Sequence, residues 1–109
     1  MTEHVAQPEL KAALDHLWAQ FLPQMDERVA VLETAASALT AGELSEAQRE
    51  AAQAAAHKLA GVLGTFGLTK GTILAREAEM VCSGDADPAS AAQLSEIAAQ
   101  LRSMMAAPR

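Results

Sequence analysis

Three histidines, at positions 4, 16 and 57, and a single cysteine, Cys82, are the soft nucleophiles and metal ligands this chain has to work with. No two of the histidines have the i, i+4 spacing with which a helix grips a metal ion, and a lone cysteine makes neither an internal disulfide nor a thiolate cluster. There is no glycine-rich phosphate loop, no ATP-binding motif, and no base arranged beside a nucleophile as in a triad. One stretch remains: Ala56-His57-Lys58-Leu59-Ala60-Gly61-Val62-Leu63-Gly64-Thr65-Phe66-Gly67-Leu68. A histidine side chain titrates near pH ~6.5, so at neutral pH most imidazoles are uncharged and one ring nitrogen can attack an electrophile without a dedicated base. The available chemistry is a nucleophilic nitrogen offered to a reactive group that another molecule brings.

At about 100° per residue, His57 lies about 160° round the helix from Leu59 and about 140° from Val62, so it points away from the apolar face. Its neighbours on that outer face are Glu50, Gln53 and Ala54 before it and Ala60, Gly61 and Gly64 after it. An ordinary exposed face would carry lysine and glutamate there; this one goes bare just beyond the histidine. Gly61 inside a helix costs about 1 kcal/mol relative to alanine, which asks for a reason beyond folding. Stripped side chains leave room for a partner's backbone or loops to approach the imidazole. Taken singly, a surface histidine is usually solvated and inert, and a helix glycine usually serves packing; the combination is what suggests a site.

The elements that must hold this face are helical. Residues 1–7 lack periodicity and form a loose lead. From Pro8, Leu10, Leu14, Leu17 and Phe21 line one face of a first short helix, and Pro23 interrupts the pattern. Met25, Val29, Leu32, Ala36 and Leu39 make the next stripe, ended by Gly42. Ser45 and Gln48 have capping-box spacing and open the helix that carries His57, with Ala52, Ala55, Leu59, Val62 and Leu63 inward. A further helix from near Thr69 turns Ile73, Leu74, Ala78 and Val81 inward and ends at Ser83, Gly84 and Asp85. Asp87 followed by Pro88 starts the last, whose stripe is Leu94, Ile97, Leu101 and Met104. Short connections between long amphipathic helices predict an all-α, up-and-down antiparallel four-helix bundle with an additional short N-terminal helix, in one domain spanning 1–109.

Composition agrees with that plan and narrows the partners. The sequence holds 26 alanines and 13 leucines against five valines, two isoleucines and no tyrosine, which favours helices over sheets. Two phenylalanines and one tryptophan leave little with which to line a cofactor pocket. A net charge of −6 repels phosphate backbones and anionic lipid, so nucleic acid and membranes are not expected as partners. No leader-like pattern and no apolar run of ~20 residues is present, so a cytoplasmic protein is expected. A monomer is expected as well. Cys82 and Trp18 read as core or rim residues, His16 as solvated, and Met104 and Met105 as cover for the end of the bundle.

The stretch from His57 through Gly61, Gly64, Phe66, Gly67 and Leu68, continued by Leu74-Ala75-Arg76-Glu77-Ala78-Glu79, resembles the histidine phosphotransfer (HPt) domain family of two-component signalling. The resemblance implies a helical bundle in which His57 accepts and donates a phosphoryl group and Gly61 gives access to it. Many members carry a lysine three residues after the histidine, near the phosphoryl oxygens; this chain has Ala60 there and Lys58 instead, a possible electrostatic partner.

On that reading the chain is a phosphocarrier and not an enzyme. It would exchange phosphate with an aspartate of a response-regulator receiver domain, and a hybrid histidine kinase is a further expected partner. The receiver would bring Mg²⁺ and the catalytic pocket, no cofactor being bound by this chain. Gln53, Ala54, Ala60, Gly61 and Gly64 would form the docking face. The leading rival is an adaptor of the same fold that is never phosphorylated and binds a signalling partner through the face around His57. A small oligomeric mutase or lyase ranks third, because the charges fall mainly on outer faces.

Overall fold

Ser45 Oγ accepts from the backbone N–H of Gln48 at 3.1 Å, and the Gln48 side chain accepts from the Ser45 N–H at 2.9 Å. This reciprocal cap starts the helix that carries His57. The computed structural model describes residues 7–84 and 87–107. They form four helices: α1 (Gln7–Ala41), α2 (Glu46–Thr65), α3 (Thr69–Ser83) and α4 (Pro88–Ala106), and among the described residues there is no strand. Gly42, at φ +71°, closes α1, with the Glu43 N–H bonded back to the Ala38 carbonyl at 2.8 Å. Gly67, at φ +73°, turns the chain from α2 into α3. Asp87 Oδ1 accepts from the Ser90 N–H at 3.1 Å, and Pro88 occupies the first turn of α4.

Each helix packs on its neighbours in chain order and α4 returns to α1, which closes an up-and-down ring. Met25, Val29 and Leu32 from α1, Leu59 and Leu63 from α2, and Leu94 and Leu101 from α4 fill the centre. Alanines do the rest: Ala52, Ala56, Ala75 and Ala78 are fully buried and let α2 and α3 approach closely. Gly71 belongs to this seam, since a Cβ there would meet Leu63 Cδ1 at 3.1 Å and Met104 Sδ at 3.2 Å.

Four expectations change. The separate N-terminal helix is absent: α1 runs through Pro23 as one helix of 35 residues, beginning at Gln7 inside the expected loose lead. Pro23 is exposed, so water can satisfy the carbonyl its ring leaves without a donor, while Trp18, Leu22 and Met25 pack on either side of it. At ~1.5 Å per residue α1 is about 52 Å long against about 30 Å for α2, so its first turns outrun the bundle. Leu10, Leu17 and Phe21 therefore stay exposed, and Trp18 is the residue that turns inward there, stacking edge-on against Phe66 at 5.2 Å. On α3, Ile73 is 53% exposed, because the inner face is set by Gly71, Leu74, Ala75, Ala78 and Cys82. Val62 and Val81 are only partly buried. His4, Asp85 and residues 1–6 of the lead lie outside the described residues.

Candidate functional site

His57 stands in the middle of α2 with its side chain 74% exposed. Its Nδ1 is 3.0 Å from Oε2 of Glu79 on α3. An ionised carboxylate can only accept a hydrogen bond, so the proton of the neutral ring lies on Nδ1. Nε2 is then left with its lone pair, on a side chain that is largely open to solvent. The pair therefore sets both the tautomer and the ring orientation, as a carboxylate does when it accepts from the second nitrogen of a metal-bound histidine.

Two further contacts fix the register of α2 against α3. Thr72 Oγ1 donates to the Ala60 carbonyl at 3.2 Å, one turn from His57. Near the other end, Arg49 donates to the Cys82 carbonyl and to Gln53 Oε1 at 3.2 Å, and it is held by Glu46. The Glu46 bond raises the Arg49 guanidinium pKa. Burial pushes the Cys82 thiol pKa up, against the pull of Arg49, so this cysteine is a packed residue and not a reactive one.

The residues expected around His57 divide. Ala54, Lys58 and Gly61 are exposed, and Gln53 is half-buried under Arg49. Ala60 is only 6% exposed and belongs to the core, which corrects its assignment to the outer face: α3 leans over that flank of α2 and covers it. Gly61 and Gly64 are both exposed, but for different reasons. A Cβ on Gly61 would meet nothing within 4 Å, whereas one on Gly64 would come 3.3 Å from Thr72 Oγ1. The absent side chain at position 64 is thus explained by helix packing. At position 61 nothing within the fold explains it, and open space lies over the helix one turn beyond the imidazole.

Glu79 is the functional candidate that the spacing along one helix did not identify, although it closes the stretch from Leu74 to Glu79. Reflection of the chain through the connection at 66–68 pairs position 57 with positions 75–79, so the antiparallel plan narrows the choice to a stretch that holds Glu77 and Glu79 without singling out either. Glu79 is the one carboxylate bonded to the imidazole, and among the described residues no group of three or more histidines, cysteines, aspartates or glutamates is placed to hold a metal ion. No described helix is long and apolar enough to cross a membrane.

A protein named RcaC from Microchaete diplosiphon is 37% identical over 79 residues, which cover 72% of this chain and 12% of that protein. The chain therefore spans about an eighth of the length of this relative. No solved structure matches. The family model described as the Hpt domain matches residues 16–108, a span that takes in α2, α3, α4 and all but the first turns of α1, and the chain belongs to the Hpt domain family.

Proposed function

We propose that this chain is a histidine phosphocarrier in which Nε2 of His57 accepts a phosphoryl group from, and returns it to, an aspartate of a receiver domain. Hpt domains serve histidine phosphotransfer in two-component signalling as carriers and not as enzymes. The observation that carries the assignment to His57 is the Glu79 bond to Nδ1, which leaves Nε2 unprotonated on an exposed side chain, on a face opened by Gly61.

In the forward step the Nε2 lone pair attacks the phosphorus of an aspartyl phosphate. The N–P bond forms, the P–O bond to the aspartate breaks, and the aspartate leaves as a carboxylate. The ring keeps its Nδ1 proton throughout, and Glu79 offsets the positive charge that the ring gains. Return of the phosphoryl group reverses each change. In-line transfer also needs a cation on the phosphoryl oxygens, usually Mg²⁺. Near His57 the carboxylate at hand is Glu79, which Nδ1 occupies, so the ligand set for such a metal is assigned to the receiver. Lys58 lies on the opposite flank of α2 from Glu79 and can approach the phosphoryl group from there. Ala54, Gly61 and the exposed edge of Gln53 form the surface that the receiver covers.

Incubation with a phosphorylated receiver, or with phosphoramidate, should add the mass of one phosphoryl group to His57 in an acid-labile, base-stable linkage. A His57→Gln variant should take up none. Equal labelling of that variant, or no labelling of the wild type by a matched receiver, would leave the adaptor reading in its place.

A further inference from the structure

A phosphoryl group on Nε2 would bring nearly two negative charges to a chain that already carries −6, on a face that holds Glu50 and Glu79. On α2 the cation beside His57 is Lys58, about 100° round the helix from it. The neighbouring helix offers another. Thr72, Arg76 and Glu79 stand at i, i+4 and i+7 along one face of α3. The first of them reaches the Ala60 carbonyl at 3.2 Å and the last reaches His57 Nδ1 at 3.0 Å. Arg76 is bracketed by these two rungs, so its backbone lies opposite the step of α2 between His57 and the Ala60-Gly61 pair.

That step is empty. Ala60 extends no further than Cβ, and a Cβ on Gly61 would meet nothing within 4 Å. Arg76 is exposed, and among the described residues it has no hydrogen-bond or ion-pair partner. We infer that Arg76 is the residue that swings across Gly61 to hold the phosphoryl oxygens of phosphorylated His57, an inference that rests on the reading of His57 as the carrier. A guanidinium is suited to this, since its planar fork gives two parallel charge-assisted bonds to a phosphoryl group where an ammonium gives a point charge. The absent side chain at position 61 then has a use within the molecule: it is the path of the guanidinium from α3 to Nε2. Arg76 forms no bond to phosphorus and takes part in no proton transfer; it lowers the energy of the dianion and of the charge that passes through the transition state.

The test loads the intact chain with phosphoramidate and follows two quantities: the rate of mass gain at His57, and the second ionisation of the bound phosphoryl group by ³¹P NMR across pH. A cation in contact favours the dianion, so Arg76→Gln should raise the apparent phosphoryl pKa and slow loading roughly tenfold. Arg76→Lys should recover part of both effects, and Lys58→Gln should slow loading and shift the titration less than Arg76→Gln does. A phosphoryl titration in Arg76→Gln that coincides with wild type, or a larger shift in Lys58→Gln than in Arg76→Gln, overturns the assignment while leaving His57 as the carrier. Absence of phosphoryl on His57 in the wild type overturns the underlying reading, and this inference with it. Helical circular dichroism of each variant separates loss of contact from loss of fold.

Discussion

A carrier imidazole works only in molecules whose acceptor nitrogen is unprotonated, and free imidazole divides its proton between both nitrogens. On the proposed reading of His57 as that imidazole, Glu79 removes the ambiguity by accepting from Nδ1. Glu79→Ala should therefore shift ¹⁵N resonances of neutral His57 towards the Nε2–H tautomer and slow phosphoryl loading by about tenfold, with helical content unchanged. A loading rate equal to wild type would remove Glu79 from the site. Gly61 makes the complementary prediction. Because a Cβ there meets nothing, Gly61→Ala should stabilise the helix by about 1 kcal/mol and raise Tm by roughly 4–8 °C, while Gly61→Arg should block exchange with a receiver at no cost in helical content. A lower Tm in Gly61→Ala would show a packing role that the open space contradicts. The exposure of His57 was legible in one helix's periodicity, because Leu59, fully buried, fixes which side is inward. Periodicity could not place Ala60, since it does not say from which flank the next helix leans. It could not single out Glu79 either, for its partner lies 22 residues away across a turn.

The glycines and prolines of this chain have opposite meanings in different elements. Gly71 in α3 and Gly61 in α2 are both helical, yet a Cβ on Gly71 would press Leu63 Cδ1 at 3.1 Å and Met104 Sδ at 3.2 Å. Gly71→Ala should therefore destabilise the bundle despite alanine's better helix propensity, by about 1–3 kcal/mol, read as a lower urea midpoint with the slope unchanged. A gain in stability would mean that Leu63 and Met104 yield freely, and that the close approach of α2, α3 and α4 does not depend on this position. Pro23 interrupts no element: α1 passes through it, and the described residues form four helices where the apolar stripes suggested five segments. Caps were readable because their chemistry is local. Ser45 with Gln48, Gly42, and Asp87 before Pro88 each stand where spacing put them. Continuity through Pro23 was not readable, because it depends on Trp18 and Met25 finding partners on other helices, and that is decided by packing across the bundle. Pro23→Ala should restore the missing backbone donor and raise the unfolding midpoint, by as much as about 3 kcal/mol at the upper limit for a helix-interior proline. An unchanged midpoint would show that water already satisfies the carbonyl that the ring leaves without a donor.

For the molecule as a whole, the ring of helices is held at two seams by arginine and glutamate. Arg102 of α4 grips Glu33 of α1 through Nε at 2.7 Å and Nη2 at 2.9 Å, and lies 3.5 Å from Asp26. Arg49, bonded to Glu46, ties α2 to the end of α3 through the Cys82 carbonyl. The hydrogen bonds from Arg102 hold the Glu33 carboxyl below the usual range against the opposing effect of desolvation, and those from Arg49 do the same for Glu46. Folded chains thus bind protons at these groups less readily than unfolded ones. Their contribution is complete above the unfolded carboxyl pKa of about 4.3, and is lost as pH falls through the lower folded values. Both partners of the Arg102 pair are about 40% exposed, so solvent screening limits it to about 0.2–1 kcal/mol. Urea midpoints should therefore be level between pH 6 and 7 and fall below about pH 4.5, and added salt should shrink the fall. Glu33→Gln should flatten part of that acid limb while lowering the midpoint at neutral pH. An acid limb identical to wild type would mean that the seam between α1 and α4 is held by apolar contact alone, with the arginine contributing only direction.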